Sequence, residues 1–309
     1  MKLVKRSARA AAVLCLIALC VQIAGAWGDM GHMMINRTAA EHIPASMPQF
    51  LKQAASHIEY LGPEPDRWRN PQEASLKNAQ EPDHFIDLER VADIPQLPEG
   101  RYEFYRLLYA KKIAAKSHAE DFDPDKVGLQ PYATTEVFQR LVVAFREYRR
   151  LQAEGKPTAD AEQNAIFYAG WLGHYVADGA NPMHTTIQYN GWVGDNPNGY
   201  TTAKNVHYEF ESGFVQRAQQ YLAFGDLLKD PVQLQHPFQD YVAYLRASNA
   251  LVEKTYQLEK AGAFKDTGTP EGREFVRERL AAGAQELLDL WYTAWEQSGV
   301  PLPERKPSS

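Results

Sequence analysis

Six stretches of this chain, 33–41, 102–116, 134–153, 161–178, 241–261 and 271–295, carry apolar residues at three- and four-residue spacing, while runs that alternate like a strand are nearly missing. That period lines the apolar side chains along one face of each helix, and the face must be buried against another helix because no sheet is on offer. Between the stretches lie connections rich in Pro, Gly and Asp, at 62–71, 92–100, 121–131, 190–200 and 266–270. None has the composition of a long flexible linker, and no repeat recurs at a fixed period. The pattern predicts an all-α fold: one multi-helix domain over 27–300, with a flexible tail at 301–309.

The first 26 residues read differently. Lys2, Lys5, Arg6 and Arg9 form a positive start, 10–23 is apolar, and Ala24-Gly25-Ala26 offers a small-residue cleavage site. These are the parts of a secretory signal peptide, so a secreted or periplasmic protein is expected, cut between Ala26 and Trp27. Cleavage leaves 283 of the 309 residues, and loss of the four basic side chains moves the formal charge from −6 to −10. That balance argues against a broad basic surface for nucleic acid, though not against an enzyme that takes up a phosphodiester through bound cations. Both cysteines, Cys15 and Cys20, fall inside the presegment, so no disulfide is expected in the mature chain. After Ile23 no apolar stretch is long enough to cross a membrane. A monomer without a stable protein partner is expected. The alternative is an uncleaved anchor, which would tie the Trp27 nitrogen into a peptide bond. A free terminal amine, with a pKa of roughly 7.7–8.0, can give up its proton to a metal near neutral pH.

The densest group of donor residues is His174-Tyr-Val-Ala-Asp178-Gly-Ala-Asn-Pro-Met-His184. His174 and Asp178 are four apart at the end of an apolar helix and share one face. Pro182 breaks that helix and lets His184 fold back toward the same point. Two imidazoles and a carboxylate suit zinc; the bland reading is a helix end capped by polar side chains. His207 and Glu211 form a second i, i+4 pair, with Glu209 on another side of the helix. Asp66 and His84, each beside a Pro-rich connection, supply two more donors of the same kind. His42, His57, His118 and His236 have no partner at ligand spacing and are read as structural or surface residues.

In order along the chain, Trp27-Gly-x-x-Gly-His32, Asp66-x-x-Arg69, His84-Phe-x-Asp87, His174-x-x-x-Asp178-x-x-x-x-Pro-x-His184 and Asn205-Val-His207-x-x-x-Glu211 resemble a superfamily that joins zinc-dependent phospholipase C to the zinc-dependent single-strand-specific nucleases. Arg279-Leu-Ala and the helical stretch after it resemble the closing helix of that superfamily. The resemblance implies an all-α bundle with three zinc ions at the bottom of a cleft. Asp66, His84, His174 and Asp178 would hold the first ion. Trp27, His32 and Asp178 would hold the second, and His184, His207 and Glu211 the third. It also implies a hydroxide bridging two zincs as the nucleophile, with Asp66 orienting it and Arg69 contacting the phosphate. Phe85 and Asp87 fall where the nuclease branch stacks and hydrogen-bonds a base. Read from the residues alone, Phe85 could equally sit in the core, and Asp87 could accept from a ligand histidine.

The expected activity is therefore a secreted zinc phosphodiesterase. An endonuclease on single-stranded DNA or RNA, giving 5′-phosphorylated products, is placed first. The short Trp27-to-His32 spacing, the Asp66/Arg69 pair and the long stretch between His184 and His207 lean that way. A phospholipase C acting on phospholipids is the alternative, since Glu211 and Asn181-Pro-Met-His184 lean toward it. A non-catalytic zinc-binding protein is the second alternative.

Overall fold

The computed structural model describes residues 28–301, and the fold over them is all-α, with no strand among the described residues. The presegment, Trp27 and residues 302–309 of the expected tail lie outside the described residues. The helices that frame the site are α1 (Gly28–Glu41), α2 (Ala55–Leu61), α3 (Arg101–Ala114), α4 (Gln130–Ala153), α5 (Ala159–Ala180), α6 (Pro237–Asn249), α7 (Val252–Lys260) and α8 (Pro270–Ser298). The predicted stretch 241–261 is two helices, parted at Ala250 and Leu251 without a Pro or Gly to mark the break. Two predicted connections carry short helices of their own, Glu64–Trp68 and Pro124–Val127, each opened by a Pro in its first turn.

α5 is the centre of the bundle and packs against α1, α2, α4 and α8. Its first half buries Ala161, Ala165 and Ala169, one face at four-residue spacing. Every residue from Leu172 to Ala180 is buried, so its second half is enclosed on all sides. α8 brings Leu280, Leu287, Leu288 and Trp291 into the same core. The bundle thus encloses the polar end of α5, with His174 and Asp178 fully buried.

α8 also carries a carboxyl group outside that polar end. Glu286 is pushed up to about 8, by burial first and then by Asp289 and Asp240 nearby, and its Oε1 has no hydrogen-bond partner. The folded chain therefore binds this proton more tightly than the unfolded chain does. Stability from this group is intact below the ordinary glutamate pKa and falls as pH rises toward 8. Glu286→Gln is expected to flatten that decline and to stabilise the protein at pH 8 by on the order of 2 kcal/mol. Urea unfolding of both proteins at pH 5 and pH 8 checks it; an equal difference at the two pH values would count against it.

Candidate metal centre

Three segments converge on the buried end of α5. The first is α5 itself, where His174 and Asp178, both fully buried, lie one turn apart. The helix stops at Ala180, Asn181 is extended, and Pro182 opens a tight 3-10 turn, Pro182–His184, that reverses His184 toward Asp178. The second segment is the turn Glu81–His84 with the residues after it. Its backbone pairs with the first: Ile86 N–H donates to His184 O at 2.9 Å, and Leu88 N–H to Thr185 O at 3.2 Å. On its other side Asp87 N–H donates to Val127 O at 2.7 Å and Gln130 N–H to Phe85 O at 3.2 Å. Gly128 makes this approach possible: its φ is +88°, and a Cβ there would lie 2.1 Å from Phe85 O. The third segment runs through Val206–Tyr208 into a π-helical turn, Glu209–Gly213, which carries His207 and Glu211 on one side. Glu209 turns outward to Arg217 at 3.1 Å, as the helical reading of that pair required.

Backbone carbonyls fix two of the imidazoles. His174 Nδ1 lies 2.8 Å from Gly62 O, and His184 Nδ1 lies 2.7 Å from His84 O. A carbonyl can only accept, so both Nδ1 atoms carry a proton, and Nε2 is the atom left to face a metal when the ring is neutral. Those Nε2 atoms face other ring nitrogens and carboxylate oxygens. His174 Nε2 is 2.9 Å from His84 Nδ1 and 3.4 Å from Asp178 Oδ2. His184 Nε2 is 3.1 Å from His207 Nε2 and 3.3 Å from Glu211 Oε2, which is itself 2.8 Å from His207 Nε2. His32, on α1, stacks on His174 with ring centroids 4.0 Å apart and places Nε2 3.4 Å from Asp178 Oδ1. Asp66 Oδ1 is 3.8 Å from His84 Nδ1 and accepts from Arg69 Nη1 at 3.1 Å.

This collection of donors suits cations. Among the described residues, three groups could each hold an ion: His32, Asp66 and His174; His84, His174 and Asp178; and His184, His207 and Glu211. Both ring nitrogens of His32, Nε2 of His84, Oδ2 of Asp66 and Oδ1 of Asp178 are buried without a hydrogen-bond partner. Buried polar atoms are seldom left so, and several together call for a ligand. The electrostatics agree. Burial, and then repulsion from His174, holds His32 and His84 well below the usual imidazole range, and burial takes His174 to about 3. All three are neutral, as metal binding requires. Burial raises Asp178 well above the usual carboxylate range, and Asp66 and Glu211 raise it further. Burial also raises Asp66. For Glu211 burial acts upward, but His207 and His184 beside it bring it down to about 2. Clustered carboxylates among neutral nitrogens form a negative pocket that bound cations relieve.

The structure thus brings His32, Asp66, His84, His174, Asp178, His184, His207 and Glu211 together; Trp27, the remaining expected ligand, lies outside the described residues. His42, His57, His118 and His236 are all exposed, in keeping with the surface reading. Above the donors opens a cleft of about 1010 Å³, lined by Arg69, Phe85, Asp87, His184, His207 and Glu211 among others. Phe85 is half-buried on the cleft wall while its neighbour Ile86 takes the core position. Asp87 accepts from Arg90 Nε at 3.0 Å rather than from a ligand histidine, and burial raises it to about 6 against the pull of Arg90. Sequence reasoning missed the Gly62 carbonyl, the Arg90 partner of Asp87, and two cleft lysines, Lys126 and Lys204.

Compared with known proteins, the sequence matches no family model and no curated protein. Solved structures that match include the alpha toxin from Clostridium absonum, at a TM-score of 0.42 and 12% identity over 88% of this chain and 66% of that one. Another is the Clostridium perfringens alpha-toxin isolated from avian strain SWCP, at a TM-score of 0.39 and 12% identity over 89% of this chain and 65% of that one. The chain spans a little under two thirds of the length of each.

Proposed function

We propose that this chain is a zinc-dependent phosphodiester hydrolase. The observation that carries the reading is the convergence of imidazole lone pairs and carboxylates, with orphaned buried atoms, at the floor of an open cleft. His84, His174, Asp178 and Asp66 would hold one ion, His32 and Asp178 a second together with the Trp27 terminus, and His184, His207 and Glu211 a third. Zinc in such positions supplies positive charge for a phosphate and an acidic water at neutral pH. The chain's own groups do the rest. Asp66, held by Arg69, has a second carboxylate oxygen to accept a proton from attacking water. Arg69 lines the cleft beside it and presents a fixed cation to the phosphate oxygens.

Single-stranded nucleic acid is the substrate class placed first. Phe85 offers a ring on the cleft wall, and Asp87, braced by Arg90, lies two residues on. A ring of that kind stacks any base and contributes roughly 1–3 kcal/mol. Lys126 and Lys204 also line the cleft. They are placed to meet flanking phosphates of a polymer. Phospholipid is the second reading, favoured by Glu211 and by the apolar side chains of Pro82, Met183 and Tyr189 in the same cleft.

Incubating the zinc-loaded protein with single-stranded DNA, RNA and phosphatidylcholine vesicles separates the two. Consumption of lipid with nucleic acid intact would establish the second reading, and no turnover of either would leave a non-catalytic zinc protein. If nucleic acid is cut, 5′-phosphorylated ends are expected. Lys126→Gln and Lys204→Gln should then each reduce the salt dependence of binding by about 0.7 in the log–log slope, the single-strand value per phosphate contact. Turnover of the small diester bis(p-nitrophenyl) phosphate, which has no flanking phosphates, should stay as in the wild type. Equal slopes in wild type and variants would remove the lysines from the substrate path.

A further inference from the structure

One fully buried side chain beside the metal centre has no part in the ligand scheme. Asn181 is the residue between the end of α5 and the turn that carries His184. Its Oδ1 accepts from Met183 N–H at 3.0 Å, closing an Asx turn. Because that oxygen is committed to a backbone donor, the amide orientation is settled, and Nδ2 must be the atom that faces Glu211 Oε2 at 3.0 Å. That same Oε2 is the oxygen turned toward both His184 and His207. A single carboxamide therefore addresses two of the three donors in this group: its oxygen shapes the turn that delivers His184, and its nitrogen fixes the carboxylate of Glu211, 30 residues away in sequence.

We propose that Asn181 is the positioning residue for the third ion: it sets the geometry of Glu211 and His184 before metal arrives and raises affinity at that position alone. The inference rests on reading His184, His207 and Glu211 as metal ligands. A neutral donor is suited to the role. It hydrogen-bonds the carboxylate without cancelling the charge that attracts the cation, as a lysine or arginine there would do. Partners of this kind around a ligand typically change metal affinity by about 10- to 100-fold. The other ion positions do not depend on this amide, since His174 is fixed by Gly62 O and Asp66 by Arg69.

Two variants separate the roles of the two amide atoms. Asn181→Asp keeps an oxygen for Met183 N–H but sets a second carboxylate against Glu211. Asn181→Ser also keeps an acceptor for the turn, adds no charge and lacks the nitrogen. The experiment counts zinc equivalents retained by the full chain against graded concentrations of a chelator, with far-UV circular dichroism and hydrodynamic size as controls on folding. Both variants should lose one zinc equivalent at chelator concentrations about 10-fold or more below those the wild type withstands, with the remaining zinc as resistant as before. Should the Asp variant fail to fold, the Ser variant alone decides. Retention equal to the wild type, or loss spread evenly over all the zinc, overturns the role of Asn181 while leaving the metal reading in place. A wild type that holds no zinc sensitive to His207→Ala overturns the metal reading, and this proposal with it.

Discussion

Asp178→Asn is expected to abolish turnover and at the same time to make the metal-free protein harder to unfold. Asp178 is fully buried and places its two oxygens toward different imidazoles, Oδ1 toward His32 at 3.4 Å and Oδ2 toward His84 at 3.2 Å. Its two oxygens thus face imidazoles on different elements, so under the proposed function its loss should weaken the hold on more than one ion. Hydrolysis of bis(p-nitrophenyl) phosphate should fall by about 10³-fold or more, since the charge the ions bring to the phosphate goes with them. Without metal the same carboxylate is a liability. It is desolvated, Asp66 and Glu211 repel it, and Oδ1 has no hydrogen-bond partner. Burying the carboxylate as a charge, or holding a proton on it to avoid that, costs several kcal/mol, whereas the neutral isostere carries neither cost and brings an N–H that can donate to an imidazole lone pair. Chelator-treated variant should therefore melt a few degrees above chelator-treated wild type, a gain of about 1–2 kcal/mol. A metal-free variant that melts lower, or one that keeps its full zinc, would show that the carboxylate is there for the fold.

The parts of this architecture that can be read from the chain are those in which cause and effect are close in sequence. The helical period of 134–153 and 271–295 is local, and α4 and α8 result from it, each a few residues longer than predicted. His174, Asp178 and His184 were legible for the same reason, since one helix face and one proline fix their relation. The break between α6 and α7 was not legible, because Ala250 and Leu251 are ordinary helix formers and only packing parts them. Helices as short as Glu64–Trp68 have too few residues to show a period. The meeting of His32 and Asp66 with α5 is a long-range event; resemblance to a family, rather than spacing, suggested it. Least legible of all are backbone atoms. Gly62 O decides which nitrogen of His174 is free, yet a carbonyl has no letter in the sequence.

Gly173→Ala should be among the most damaging single-atom additions in the protein. By helix propensity alone the change would stabilise α5 by about 1 kcal/mol. Packing reverses the sign. A Cβ at this position would lie 1.8 Å from Asn36 Oδ1 and 2.9 Å from Leu287 Cδ2. Asn36 cannot step aside cheaply. It is fully buried on α1, and its Nδ2 donates to Ile58 O at 2.9 Å and to Gly170 O at 3.0 Å, tying α1, α2 and α5 together. Making room means either losing those bonds or moving α1 away from α5. The combined cost is about 3–5 kcal/mol, which corresponds to a fall in melting temperature on the order of 10 °C. Moving the helices also separates His32 from His174, whose rings stack across this same junction, so zinc affinity should drop with stability. Asn36→Ala on its own removes two hydrogen bonds to helix carbonyls and should cost about 1–3 kcal/mol. In the double variant the clash with Asn36 is gone and only the movable end of Leu287 stays close, so the two losses should sum to clearly more than the loss measured for the pair. A Gly173→Ala protein that melts within a degree of wild type, or a double variant whose losses simply add, would mean that the contact between Asn36 and Gly173 does not hold α1 against α5.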